Sequence, residues 1–134
     1  MRRRAGTQGL VRDERGQAMT ELALVLPVLL VILFAIVQFG IIFNRYVALT
    51  DAVRAGARKA AVSRKETDPV AVTKQAVIGA GGDIQIQSSQ ITVNSDWQAG
   101  DDVTVTATYP SKINLGLLEI PLPDLKSSTT ERVE

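Results

Sequence analysis

The chain has 134 residues, no cysteine, no histidine and a net charge of +1. Without cysteine there is no disulfide framework and no thiolate chemistry, and without histidine the usual general base and metal ligand are missing. The small net charge hides an asymmetry, because residues 1–64 carry ten basic and four acidic side chains and residues 65–134 carry five and ten. The basic half suits an anionic membrane surface, and the acidic half is a poor candidate for nucleic-acid binding.

The longest apolar segment is the 22-residue run 22–43, which contains no charged side chain. As a helix it is about 33 Å long, enough to cross a hydrocarbon core of about 30 Å. Gln38 is its only strongly polar side chain, and Glu21 lies at its start, where a carboxylate near lipid requires a partner or a function. We therefore predict a membrane-spanning helix in residues 17–64, preceded by a disordered basic leader of residues 1–16.

After Phe43 the apolar pattern becomes amphipathic. Apolar residues recur at steps of 3, 4, 4 and 3, which places them on one face of a helix. This stripe consists of Tyr46, Leu49, Val53, Ala57 and Ala60. Packing of the stripe on the chain's own C-terminal domain is the simpler interpretation, and a surface between subunits is the alternative.

Two basic residues and a glycine stand out in this helix. Arg54 and Arg58 are four residues apart on another stripe, and Asp51 is close enough in sequence to pair with Arg54. Gly56 in a helix interior costs about 1 kcal/mol relative to Ala, which suggests close approach of another segment, with an accident of sequence as the alternative. We predict Arg54, Gly56 and Arg58 as packing or interaction residues.

Residues 65–134 predict a small α+β domain with a short helix and an antiparallel sheet of three or four strands. Asp68 is the predicted N-cap of a helix from Pro69 to Ile78. Strands are predicted at 84–86, 91–94, 103–109 and 125–133, and an apolar loop at 113–125. In the third strand, Val103, Val105, Ala107 and Tyr109 should face inward and Thr104, Thr106 and Thr108 outward.

No catalytic constellation is recognisable in the sequence. Adjacent carboxylates at Asp101 and Asp102 are typical of a solvated turn, and the serine pairs at 88–89 and 127–128 lack a histidine base. We therefore expect no enzyme, no cofactor, no metal site and no small-molecule substrate.

The junction before the apolar run carries a specific pattern. Gly16 is the last residue of the basic leader, and Glu21 lies five places after Gly16. This junction resembles the cleavage site of type IV prepilins, which implies that a prepilin peptidase cuts between Gly16 and Gln17. Glu21 would then be the fifth residue of the mature chain and an assembly residue. Leu22 stands where Flp-type pilins of these systems usually carry Tyr, which argues against the major pilin.

The segment that follows extends the resemblance. Together with the Arg-Ala-Gly-Ala-Arg sequence at 54–58, the junction resembles the TadE-like family of tight-adherence pilus proteins, from about Arg15 to Ala61. A looser resemblance returns around Val103 to Pro110.

The resemblance also implies an orientation. Five basic residues precede the run and five follow it, so charge alone does not orient the helix. Prepilin peptidases act at the cytoplasmic face, so the resemblance implies a single-pass inner-membrane protein with a cytoplasmic N-terminus and an extracytoplasmic C-terminal domain at residues 65–134.

The implied function is that of a minor pilin- or pseudopilin-like structural subunit in assembly of a tight-adherence pilus. Its implied partners are membrane lipid, other pilins or pseudopilins, the pilus assembly platform and the prepilin peptidase, with no nucleic acid. The alternative is an uncleaved, single-pass membrane-anchored binding or interaction module. A cleaved secretory signal fits less well, because its apolar region would be only about 7 to 15 residues.

Overall fold

A computed structural model describes residues 10–114 and 119–134, with side chains from residue 16 onward. The predicted α+β fold is confirmed: a long helix precedes a short helix, a three-stranded antiparallel sheet and a two-stranded one. The elements are α1 (Leu10–Ala61), α2 (Pro69–Ala80), a short 3-10 turn (Ser88–Gln90), β1 (Ile91–Asn94), β2 (Asp102–Tyr109), β3 (Lys112–Asn114), β4 (Glu119–Pro121) and β5 (Leu125–Arg132).

Helix α1 begins earlier than the sequence predicted. It starts at Leu10 rather than near Gln17, so the predicted disordered leader is helical over its last residues. Residues 10–15 include Leu, Arg and Glu, which are good helix formers, and no proline or capping residue stops the helix at Gln17. The rest of the predicted leader, residues 1–9, lies outside the described residues.

The chain divides into two compact units between Val37 and Gln38. In the second unit, α1 buries one face in the core of the C-terminal domain, as the stripe predicted. The buried residues of this face are Leu49, Ala52, Val53, Ala57, Ala60 and Ala61. Tyr46, predicted on the same stripe, is exposed instead. Near Tyr46 the half-buried residues are Ile42 and Arg45, so only at this level is the covered face of α1 rotated away from the predicted stripe.

Helix α2 begins at the predicted cap. The Asp68 carboxylate accepts a hydrogen bond of 2.9 Å from the backbone N–H of Ala71, and Pro69 occupies the first turn. Val77 of α2 is fully buried in the core. A Cβ atom at Gly56 would overlap Cγ2 of Val77, so α2 approaches α1 closely because Gly56 has no side chain.

The main sheet has the order β1-β2-β5, with β2 in the centre. Val103, Val105 and Ala107 of β2 are buried, as the alternation predicted, and Tyr109 packs at the margin of the core. On the opposite face, hydroxyl groups pair across β2 and β5. Thr104 lies 2.9 Å from Thr130, and Thr106 lies 2.9 Å from Ser128 (oxygen to oxygen).

The predicted strand at residues 84–86 is wrong. Ile84 and Ile86 are buried, but their backbone amides donate to Gly81 and Ile84 carbonyls in turns. Buried and exposed residues therefore alternate there without strand pairing, because these amides already donate hydrogen bonds within the turns.

The predicted apolar loop at 113–125 is also wrong in part. The segment contains the last two residues of β3 and all of β4, and these strands pair with Ile113 opposite Ile120. We call these two strands the β3–β4 ribbon. Residues 115–118 between them lie outside the described residues.

Candidate functional site

The predicted cleavage junction lies within α1, on an exposed stretch of helix. Gly16 is exposed, and a Cβ added there would meet nothing within 4 Å. Thr20 Oγ1 donates a hydrogen bond of 2.9 Å to the Gly16 carbonyl, one helical turn back. Packing among the described residues therefore gives no reason for a glycine at position 16, in contrast to position 56.

Glu21 stands at the boundary between this junction and the apolar run. Its side chain is exposed, and among the side chains from residue 16 onward that the structure describes it has no hydrogen-bond or ion-pair partner. Every residue from 22 to 37 is exposed as well. A carboxylate at the start of an uncovered apolar helix is available to a cation supplied from elsewhere.

The apolar run is long and hydrophobic enough to cross a membrane. It carries no charged side chain, and none of its most apolar part is buried against the described protein. A continuous exposed surface of Leu, Val, Ile and Phe side chains is unusual in a soluble protein, where such side chains normally pack against other parts of the protein or a partner. The helix therefore fits a single-pass membrane anchor.

Gln38, the polar exception in the run, has a partner within the chain. Its side-chain amide donates a hydrogen bond of 2.7 Å to the backbone carbonyl of Asn114 in β3. Both residues belong to the C-terminal unit. The sequence marked Gln38 as unusual but offered no signal for its partner, 76 residues away.

The three predicted interaction residues separate into two environments. Arg54 and Arg58 are exposed, and Arg54 forms an ion pair of 3.8 Å with Asp51 in which both side chains are more than half exposed. Gly56 is buried against Val77 of the same chain. The arginines are thus open to a partner, whereas Gly56 serves the packing of its own domain.

An exposed aromatic patch on α1 was missed by the sequence reasoning. Phe39 and Phe43 stack with ring centroids 6.5 Å apart, and Tyr46 and Val47 continue the patch toward Thr50. The four-residue spacing of the two phenylalanines was the available signal. The patch lies immediately before the exposed arginines.

The comparison with protein families finds a match that covers the junction and the helix that follows it. Residues 16–58 match the model of a family described as "TadE-like protein". The looser resemblance around Val103 to Pro110 is not part of that match. No curated protein and no solved structure matches the chain. The similarity of this chain to TadE-like proteins is therefore established over residues 16–58, from the exposed junction glycine to the second exposed arginine.

Proposed function

We propose that this chain is a minor pilin- or pseudopilin-like structural subunit in assembly of a tight-adherence pilus. The observation that carries the proposal is the match to the TadE-like family model over residues 16–58, which begins at the predicted cleavage glycine. In this role the chain binds other subunits, the assembly platform and membrane lipid, and it catalyses no reaction.

Processing by a prepilin peptidase is the first step of the proposed role. The peptide bond between Gly16 and Gln17 lies within α1, so the helix must open locally before an extended segment reaches a peptidase. Gly16 lowers the stability of this part of the helix by about 1 kcal/mol relative to Ala. Among the described residues no packing contact requires a glycine at position 16, which supports a role for Gly16 in recognition by the peptidase.

Assembly through Glu21 is the second step. Cleavage would create a new amine at Gln17, which is largely cationic at pH 7 because the reference pKa of an α-amino group is near 8. Glu21 is exposed and would pair with the amine of an adjacent subunit. In a low-dielectric environment this pairing offsets the desolvation of both charges.

Gly16→Leu tests the processing step, with Gly40→Leu as the matched control. Both glycines are exposed on α1, and a Cβ at either would meet nothing within 4 Å. In cells with an intact pilus system, wild type and Gly40→Leu should yield protein that starts at Gln17. Gly16→Leu should yield the full-length chain. N-terminal sequencing of protein isolated from membranes measures this. If all three proteins keep the full-length chain, the result favours the uncleaved membrane-anchored module instead.

Glu21→Leu tests assembly, with Glu66→Leu as its control. Both carboxylates are exposed, but Glu66 lies beyond α1. Membrane insertion should be retained by both variants, and only Glu21→Leu should lose co-purification with pilus components. If both variants co-purify with pilus components to the same extent, Glu21 has no role in assembly and is only a charge at the membrane boundary.

Ser88→Cys tests the orientation. The chain has no native cysteine, and Ser88 is exposed. A membrane-impermeant thiol reagent should label Ser88→Cys in intact cells, or in spheroplasts where an outer membrane is present. Labelling only after lysis would place the C-terminal domain in the cytoplasm and contradict the proposal.

A further inference from the structure

The β3–β4 ribbon is unusually uncovered for a sheet. Its strands are three residues each, and all but one of their six residues are exposed. A two-stranded sheet on its own is at best marginally stable in water. At its base the ribbon is held by Ser111, whose hydroxyl donates to the Pro123 carbonyl at 2.9 Å and whose carbonyl accepts from the Leu122 amide at 3.1 Å.

The two faces of the ribbon differ in polarity. One face carries a polar cluster, in which Lys112 Nζ lies 3.1 Å and 3.2 Å from the Glu119 carboxylate oxygens and Asn114 Nδ2 lies 3.2 Å from one of them. The other face carries Ile113 opposite Ile120, and Ile120 is 40% exposed. The ribbon is therefore amphipathic, and its isoleucine pair is incompletely covered.

Gln38 connects the ribbon to α1. The 2.7 Å hydrogen bond from the Gln38 side chain ties Asn114 of β3 to α1. Gln38 lies five residues before the end of the apolar run at Phe43, or about 7.5 Å along the helix axis. The run is only slightly longer than a hydrocarbon core of about 30 Å. If α1 spans the membrane with this run centred, Gln38 lies about 6 Å inside the hydrocarbon, within the depth of about 5–10 Å that interfacial elements reach.

We propose that the β3–β4 ribbon is a second membrane-contacting element, seated in the headgroup–acyl boundary of the leaflet that the C-terminal end of the apolar run enters. The inference rests on the proposed function in one respect, the insertion of α1. Ile113 and Ile120 face the acyl chains, and the Lys112–Glu119 cluster faces the headgroups. Long side chains such as lysine reach the aqueous side from such a position.

The same arrangement accounts for Gln38. A side-chain amide near hydrocarbon is unfavourable unless its hydrogen-bonding groups have partners within the protein. The ribbon supplies a backbone carbonyl for the Gln38 amide. The lipid in turn covers an isoleucine pair that nothing else in the described part of the chain fully covers.

Tryptophan fluorescence of the full chain in lipid vesicles tests the proposal. Trp97 is the only native tryptophan, so Trp97→Phe gives a background without tryptophan. Single reporters are then placed at Ile120 on the ribbon, Phe39 on α1 and Ser88 in the domain. The vesicles contain neutral phosphatidylcholine brominated near the headgroup end of its chains, because bromine quenches only tryptophan in contact with lipid.

The proposal predicts that Ile120→Trp loses fluorescence to a degree comparable with Phe39→Trp and that Ser88→Trp loses none. Quenching of Phe39→Trp without quenching of Ile120→Trp would overturn the ribbon proposal and leave the anchor intact. Absence of quenching in both would overturn the anchor itself. Ile113→Trp provides a second reporter on the same face, and its quenching should match that of Ile120→Trp. Circular dichroism of each reporter variant checks that it is folded.

Discussion

Two stretches of α1 are both rich in apolar side chains and meet opposite surroundings. From residue 22 to 37 every side chain is exposed, whereas from Leu49 to Ala61 one face is buried in the core of the C-terminal domain. In the first stretch apolar residues surround the helix, and no single face could be covered by a small domain. In the second they recur every three to four residues and form one face. The spacing of the apolar residues along α1, and not their number, decides which stretch is buried by the chain's own domain.

The largest expected effect concerns the sheet that faces α1. Val105 is fully buried, so Val105→Asp should place an unpaired charge in the core and cost about 4–5 kcal/mol or more. Thr106→Asp, on the outer face, should change the free energy of unfolding by about 0.5 kcal/mol at most. Denaturant unfolding of the detergent-solubilised chain, followed by Trp97 fluorescence, measures both. Similar losses would mean that both faces of the sheet are covered.

The comparison within α1 is tested by the same substitution in each stretch. Leu49 is 0% exposed, so Leu49→Ala should lower the free energy of unfolding by about 2–5 kcal/mol. Leu33 is 55% exposed, so Leu33→Ala should leave domain unfolding nearly unchanged. The same fluorescence measurement reports on the domain alone, since Trp97 packs against the core. A substantial loss in Leu33→Ala would show that the uncovered stretch also supports the domain.

Two glycines of α1 give a finer version of the test. Gly56→Ala should force Val77 to move and destabilise by about 1–2 kcal/mol, because overpacking outweighs the gain in helix propensity. Gly40→Ala meets nothing within 4 Å and should be neutral or slightly stabilising. Adding Val77→Ala to Gly56→Ala should cost less than the sum of the two single changes. Strict additivity in this double-mutant cycle would contradict direct contact.

The smallest expected effect belongs to the exposed face of α1. The Asp51–Arg54 ion pair is more than half exposed on both sides, so Asp51→Ala should cost less than about 0.5 kcal/mol. Raising the salt concentration should reduce even this difference. A loss above about 1 kcal/mol in the same unfolding experiment would indicate that Arg54 is held in a fixed structural contact.

The regular spacing of apolar residues made the buried faces of the second unit partly predictable from the sequence. The spacing of Leu49, Val53 and Ala57 gave the buried face of α1, and the alternation in β2 gave its inner residues. Both patterns depend on side-chain direction, which the backbone period fixes. The β3–β4 ribbon was missed because its strands are short and Pro121 and Pro123 favour a loop.

Contacts between residues far apart in the chain were not predictable in the same way. Gln38 carried a signal of polarity, but the carbonyl that it contacts has no signature in the sequence. Gly56 indicated a close approach without identifying α2. The junction at Gly16 was recognisable only by resemblance, since the local structure neither requires a glycine there nor ends the helix.

The contact between Gly56 and Val77 also has a mechanical meaning. The Val77 side chain lies directly against α1 because Gly56 has no side chain there. Little deformable material then separates α1 from α2, and α2 itself packs into the core shared with the sheet. A pull along α1 would therefore load this contact in shear and pass directly to the domain. The force would pass through the β-branched side chain of Val77, which has little rotamer freedom and lies against the backbone of α1 at Gly56.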